Sequence, residues 1–280
     1  MGEAKVDYDA LLVEAAQSVL LELARTLHEY FDGIVLVGGW VPGLLFRNPE
    51  QAHVGSLDVD LALDQNTIQE VGYRSIMQLL VKRGYQPGDQ PFIFYRTLTV
   101  GDREIKVEVD FLAAEYGGTG KKHRTQTVQD MRPRKARGCD LAFQDPVDIT
   151  IEGLLPDGGR DHATIRVASV VPFLMMKAQA LVGRLKEKDA YDTYYCLTNY
   201  PGGLDALVEA FRPHLREPLV IEGLNILADK FQPPEHIGPH FVVDFLEVAD
   251  PDERAFLQRD AYERVNYLLV QSGRRSHGKD

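Results

Sequence analysis

Cysteine is nearly missing from this chain: Cys139 and Cys196 are the only two in 280 residues, and no CxxC spacing joins them. That excludes a disulfide scaffold and fits a reducing, cytoplasmic setting. Long hydrophobic runs are missing as well. The longest apolar stretches, such as residues 34–37 and 170–176, fall far short of the roughly 20 residues a membrane span needs, so no membrane partner is expected. The opening MGEAKVDYDA has no apolar segment for export, and Val6 stands where N-myristoylation wants Ser or Thr. Basic residues are in deficit, 31 against 42 acids, for a net charge of −11. On the sum alone a nucleic-acid partner is disfavoured, because phosphate contacts draw on Lys and Arg. What is present, 44% hydrophobic and 26% charged residues, suffices for a real core in one large domain or two modest ones and excludes disorder.

Periodicity supplies the organisation. Leu11, Leu12, Ala15, Val19, Leu20, Leu23 and Leu27 recur at helical spacing and predict a helix over 4–30, stopped at Asp32-Gly33. A buried strand at 34–37 runs into Gly38-Gly39-Trp40 and a brief helix at 44–46. Strands are expected at 58–63, 92–100 and 104–112, the last two joined by a Gly101-Asp102 turn. A helix is expected at 67–83. Short strands follow at 139–143, 147–151 and 163–167. Beyond residue 171 the pattern is helical, at 172–186, 189–198, 204–211, 219–230 and 252–271. The fold class is α+β: a mixed sheet flanked by helices over residues 1–168, followed by a helical domain over 169–280.

Two motif-like features fail on inspection. GGTGKK at 117–122 ends like a phosphate-binding loop, but that pattern needs Gly at 115 and Ser or Thr at 122, where the chain has Glu115 and Lys122. His236 and His240 have the spacing of metal ligands on a helix, but Pro239 between them reads as a helix breaker. No nucleophile elbow is present.

The pattern that carries chemistry is SLDVDLAL at 56–63. Side chains two apart on a strand share a face, so Asp58 and Asp60 project together while Val59, Leu61 and Leu63 take the core side. Paired carboxylates repel, and a divalent cation relieves the repulsion; a polar solvent face produces the same pattern. EIKVEVD at 104–110 alternates likewise. If its strand lies beside the first, Asp110 completes a cluster of three acids, enough for Mg²⁺ or Mn²⁺. Gly38-Gly39 ends a buried strand, where backbone N–H groups can approach a phosphate. On the helix from 172, Lys177 and Arg184 lie seven apart on nearly one face, followed by Asp189 and Asp192. Extending that helix places Asp192 nearer Lys177 in angle than Asp189. A solvated charged face is the competing reading of this run.

Together these residues resemble the nucleotidyltransferase superfamily, and within it the AbiEii/AbiGii toxin-type group. VLVGGW (35–40), SLDVDLAL (56–63), VEVDFL (107–112) and KAQALVGRLKEKDAYDTYYCL (177–197) carry the resemblance. The group's usual Gly-Ser is Gly38-Gly39 here, and Ser56, two before Asp58, is the candidate substitute for the absent hydroxyl. The resemblance implies a nucleotidyltransferase-like sheet and transfer of NMP from an NTP to an acceptor hydroxyl, with pyrophosphate as leaving group. Asp58, Asp60 and Asp110 are then the metal ligands. Asp110 is also the candidate base, with Lys177 and Asp192 completing the catalytic set. Gly38, Gly39, Ser56, Lys177 and Arg184 are the nucleotide-binding residues.

Acceptor and partner remain open at this level. Seven basic residues crowd between positions 121 and 137: Lys121, Lys122, Arg124, Arg132, Arg134, Lys135 and Arg137. They form a candidate RNA-binding stretch despite the global acidity, which favours RNA such as tRNA as acceptor. A solvated loop gives the same composition. The resemblance further implies a toxin with an antitoxin partner. The alternatives are a small-molecule acceptor such as an aminoglycoside, implied by the resemblance of the GGW turn to that of aminoglycoside nucleotidyltransferases, and a non-catalytic nucleotide-binding module.

Overall fold

The computed structural model describes residues 4–46, 51–68, 74–115, 124–233 and 235–275. The chain divides into two units, Tyr8–Leu45 with Gly55–Ser169, and Met1–Asp7 with Phe46–Val54 and Val170–Asp280.

The first unit is built on a mixed sheet. Its strands are β1 (Ile34–Val37), β2 (Asp58–Leu63), β3 (Gln86–Pro87), β4 (Ile93–Val100), β5 (Arg103–Ala114), β6 (Arg134–Ala136), β7 (Val147–Leu154) and β8 (Arg160–Val167). Their order is β3-β4-β5-β2-β1-β8-β7, and β6 pairs with β5 beyond the end of β4. Leu36, Leu61 and Phe111 stand in register across β1, β2 and β5 and are almost wholly buried. Helix α1 (Ala10–Thr26) packs on the sheet: its Leu23 and Ala24 line a small cavity together with Leu61 of β2 and Ile165 of β8. Each such buried aliphatic or aromatic side chain contributes about 1.5–3 kcal/mol relative to exposure, so α1 is held by its apolar stripe. Arg96 on β4 adds an ion pair to the buried Glu22 of α1 at 2.9 Å.

The two longer helices expected in this unit, at 4–30 and 67–83, are shorter among the described residues. Asp9 caps α1 by accepting from the Leu11 N–H at 2.8 Å, and irregular 3₁₀ turns flank the helix on both sides. The helix expected at 67–83 is α3 (Ile76–Lys82), capped by Ser75; residues 69–73 lie outside the described set. The brief helix near 44–46 is α2 (Val41–Leu45). The strand expected at 139–143 is instead a short helix, α4 (Cys139–Ala142). Gly138 ahead of it adopts φ 86°, a left-handed turn that L side chains resist, and this redirects the chain away from extension. The Gly101-Asp102 turn joins β4 and β5 as expected, with Val100 and Arg103 paired.

The second unit is helical: α5 (Val170–Gly183), α6 (Glu187–Asn199), α7 (Gly203–Phe211), α8 (Pro218–Lys230), α9 (Ile237–Phe245) and α10 (Pro251–Gln271). Helices α5 and α8 pack closely, because Gly223 lets the α8 backbone approach Met175; a Cβ there meets the Met175 sulfur at 2.3 Å. Helix α9 contradicts the expectation that Pro239 prevents a helix through His236 and His240. His236 is its N-cap, so Pro239 falls in the first turn, where the missing N–H has no helical partner to lose. The two histidines serve as local hydrogen-bond groups: His236 Nδ1 lies 3.0 Å from the Lys230 carbonyl, and His240 Nδ1 lies 3.1 Å from Gln258 Nε2. Among the described residues, no helix is long and apolar enough to cross a membrane.

Candidate active site

The acidic face of the sheet follows from register. Strands β2 and β5 run parallel, pairing Asp58 with Glu108 and Asp60 with Asp110. Paired residues on neighbouring strands sit about 4.8 Å apart and point to the same side. Four carboxylates therefore share the face opposite α1. Val59, Leu61, Val109 and Phe111 on the other face are almost wholly buried. The two strands thus have one apolar side that fixes the register and one acidic side displayed by it.

Each acid is held differently. Ser56 is buried and its hydroxyl donates to Asp58 Oδ1 at 2.5 Å. The Trp40 indole N–H donates to the Asp58 carbonyl at 2.8 Å, tying the turn after β1 to the start of β2. Gly38 in that turn has φ +72°, and a Cβ on it meets Asp60 Oδ2 at 1.9 Å, so glycine is required for the carboxylate to lie against the backbone. Asp110 is 9% exposed. Its Oδ2 accepts from Arg134 Nη2 at 2.7 Å, whereas its Oδ1 has no hydrogen-bond partner among the described residues. Burial pushes the Asp110 pKa up to about 6; Arg134 pulls it down, and the Glu108 and Asp58 carboxylates add to the rise.

This chemistry suits a hard divalent cation. All the donors are carboxylate oxygens, and a buried acceptor with nothing to accept from is costly unless a cation or water meets it. Among the described residues, no three acid, His or Cys side chains are already gathered into a formed metal cluster.

The helical unit carries a second concentration of charge. Lys177 on α5 is buried and reaches two acids, Asp189 Oδ1 at 2.8 Å and Asp192 Oδ2 at 2.7 Å. Both candidate partners thus bind it. The helix does not run on through them: Leu185 takes φ 48° between α5 and α6, so the extrapolated helical angles do not apply. Arg184 donates to both oxygens of Asp189 at 2.9 and 2.8 Å. Lys188 bonds Asp192 at 2.9 Å, and His53 Nε2 lies 2.9 Å from the same carboxylate. The His53 ring is packed on Tyr191 and edge-on to Tyr195. Burial opposes the Lys177 charge, but Asp189 and Asp192 outweigh it and hold its pKa above the ordinary value. Burial likewise opposes the two carboxylate charges, yet Lys177 and the flanking cations keep both below the usual range. His53 is held neutral chiefly by burial, which lowers its pKa against the pull of Asp192.

The basic stretch is used piecemeal. Lys121 and Lys122 lie outside the described residues. Arg134 is engaged by Asp110, and Arg137 bonds Glu115 at 2.7 Å. Arg124 lies over the Phe92 ring at 5.6 Å. Arg132 is exposed and Lys135 half-buried. Sequence reasoning missed Trp40, Arg134 as partner of Asp110, Lys188 and His53. Trp40 carried a signal, as the only tryptophan in the chain and the residue directly after the glycine turn. The others meet their partners by tertiary folding, with no local pattern to announce it.

The site thus sets a glycine turn against an acidic strand pair on a mixed sheet, with a helical region following in the chain. The chain matches the family described as "Nucleotidyl transferase AbiEii toxin, Type IV TA system" over residues 21–264. It belongs to that family, and the match extends well past the motifs, into α10. No curated protein and no solved structure matches the chain.

Proposed function

We propose that this protein is a metal-dependent enzyme that transfers NMP from an NTP to an RNA hydroxyl, with tRNA as the preferred acceptor class, and acts in the cytoplasm as the toxin opposed by an antitoxin. One observation carries the metal assignment: the buried Asp110 Oδ1, without a partner among the described residues, on a residue in register with Asp60 and on the face that Asp58 shares.

Asp58, Asp60 and Asp110 are the residues that would hold Mg²⁺ or Mn²⁺. Such an ion, when bound, neutralises phosphate charge and lowers the pKa of an acceptor hydroxyl. The chain's own groups do the rest. Ser56 fixes the Asp58 carboxylate, Gly38 makes room for that of Asp60, and the Gly38 and Gly39 backbone N–H groups are the proposed contacts to the triphosphate. Asp110, ionised at neutral pH with a pKa near 6, accepts the acceptor proton as base. Lys177 and Arg184 supply positive charge for the nucleotide phosphates, and Asp192 holds Lys177 in place. Arg124, Arg132, Lys135 and Arg137, with Lys121 and Lys122, are the proposed RNA contacts.

The test is incubation with each labelled NTP, Mg²⁺ or Mn²⁺ and total RNA, beside an Asp58→Ala/Asp60→Ala control. Label entering tRNA only with the carboxylates intact supports the reading. Pyrophosphate release that requires a small hydroxylated molecule instead of RNA would replace the acceptor. Absence of any transfer or pyrophosphate would refute the enzymatic assignment.

A further inference from the structure

Arg134 stands out among the basic residues because of what its guanidinium touches. Strand β6 pairs in parallel with the end of β5, placing Arg134 opposite Leu112. Leu112 and Asp110 are two apart on β5 and share a face, so the pairing sets Arg134 on the acidic side of the sheet. Its guanidinium lies 5.7 Å from the Phe92 ring centroid, and Phe92 is buried immediately before β4. Strand pairing and the ring together leave the arginine little freedom.

The bond it makes is selective. Arg134 Nη2 takes Asp110 Oδ2 at 2.7 Å, and among the described residues neither Asp110 Oδ1 nor the buried Arg134 Nε has a partner. Arginine–carboxylate pairs are frequently bidentate; here, among the described residues, a single bond is made.

We propose that Arg134 is a positioning residue for the metal-binding carboxylates: by gripping Oδ2 it fixes the Asp110 rotamer so that Oδ1 faces a hard divalent cation. This rests on the reading of Asp58, Asp60 and Asp110 as metal ligands, and it takes Arg134 out of the RNA-contacting set. Outer-sphere partners of this kind orient a ligand, and their loss costs metal affinity even though they never touch the ion.

Mn²⁺ binding to the full chain, followed by electron paramagnetic resonance of the free ion, tests it without reference to activity. Arg134→Met should weaken Mn²⁺ binding about tenfold. Arg134→Lys keeps the charge but loses the planar fork, and should fall between Arg134→Met and the unmodified chain; it also serves if the Met variant does not fold. Thermal denaturation of each variant reports folding separately. Unchanged or tighter Mn²⁺ binding in either folded variant overturns the proposal. So does a loss of tRNA binding in Arg134→Met at unchanged Mn²⁺ affinity, which returns Arg134 to the RNA surface. If Asp58→Ala/Asp60→Ala binds Mn²⁺ as well as the unmodified chain, the metal reading itself fails, and that result is distinct from the others.

Discussion

Asp60 and Asp110 stand side by side in register across parallel strands, one within the short β2 and the other deep in the long β5. Adjacent carboxylates on one face of a sheet are an electrostatic burden to the protein without a cation. Asp58→Ala and Asp60→Ala should therefore fold normally and lose transfer activity by at least about a thousandfold, measured as label incorporated per minute.

Asp110 gives a sharper expectation. Its folded pKa near 6 lies above the ordinary 3.8. The folded state thus holds its proton more tightly than the unfolded chain, and stability falls as pH rises through the interval between those values. At pH 7 the ionised carboxylate costs on the order of 1–3 kcal/mol. Asp110→Asn should raise the melting temperature at pH 7 in the absence of metal while abolishing transfer. A lower melting temperature would mean that the bond from Arg134 outweighs burial.

Gly38→Ala should be disabling without touching any charged group. Its Cβ collides with the Asp60 carboxylate, and its left-handed φ opposes any L residue. A loss of about 1–2 kcal/mol in stability is expected from the backbone alone, with activity falling alongside that of Asp60→Ala. Chemical denaturation and transfer assays on the one variant check both.

Lys177→Met leaves two acids, exposed by no more than 1%, without the cation they share. Arg184 and Lys188 still reach one acid each, so the loss falls near the lower end for a broken buried ion pair, about 3 kcal/mol. Urea unfolding measures it. A neutral result would mean that the remaining cations neutralise both acids by themselves.

Acidification should weaken the helical unit through His53. Burial lowers its pKa below 6.5, so below that pH the unfolded chain binds a proton that the folded chain refuses. Stability is complete above 6.5 and declines on acidification by up to about 1.4 kcal/mol per pH unit. Asp189 and Asp192, with depressed pKa values, keep their own contribution until far lower pH. In His53→Asn the slope between pH 6.5 and 5.5 should flatten; an unchanged slope would mean that His53 does not carry it.

Strands were the legible part of the fold. Alternation in residues 58–63 and 104–112 fixes which side chains face α1, and the acidic face follows from it. Helix ends were less legible, because they turn on single backbone angles. Gly138 and Leu185 each take a positive φ that no periodicity reports. The first turned an expected strand into α4, and the second broke the helix through which the Lys177 partner was extrapolated. Pro239 misled for the opposite reason: its effect depends on which helical turn it occupies. The pairs that tune the charged groups, Arg134 with Asp110 and His53 with Asp192, are 24 and 139 residues apart. Only the folded chain brings them together.

Phe46–Val54 clusters with the helices, although Leu45 and Gly55 on either side of it belong to the sheet unit. The helical half is thus not colinear with the gene segment that encodes its helices. A fragment starting at Val170 lacks His53, which meets Asp192, and the Gln51 carbonyl that receives the Tyr195 hydroxyl at 2.8 Å. Exchanging that half between two family members needs junctions after residues 7, 45, 54 and 169, and a chimera made with one crossover would inherit an incomplete charge network. Supplying residues 46–54 as a separate peptide is the direct way to restore it in trans.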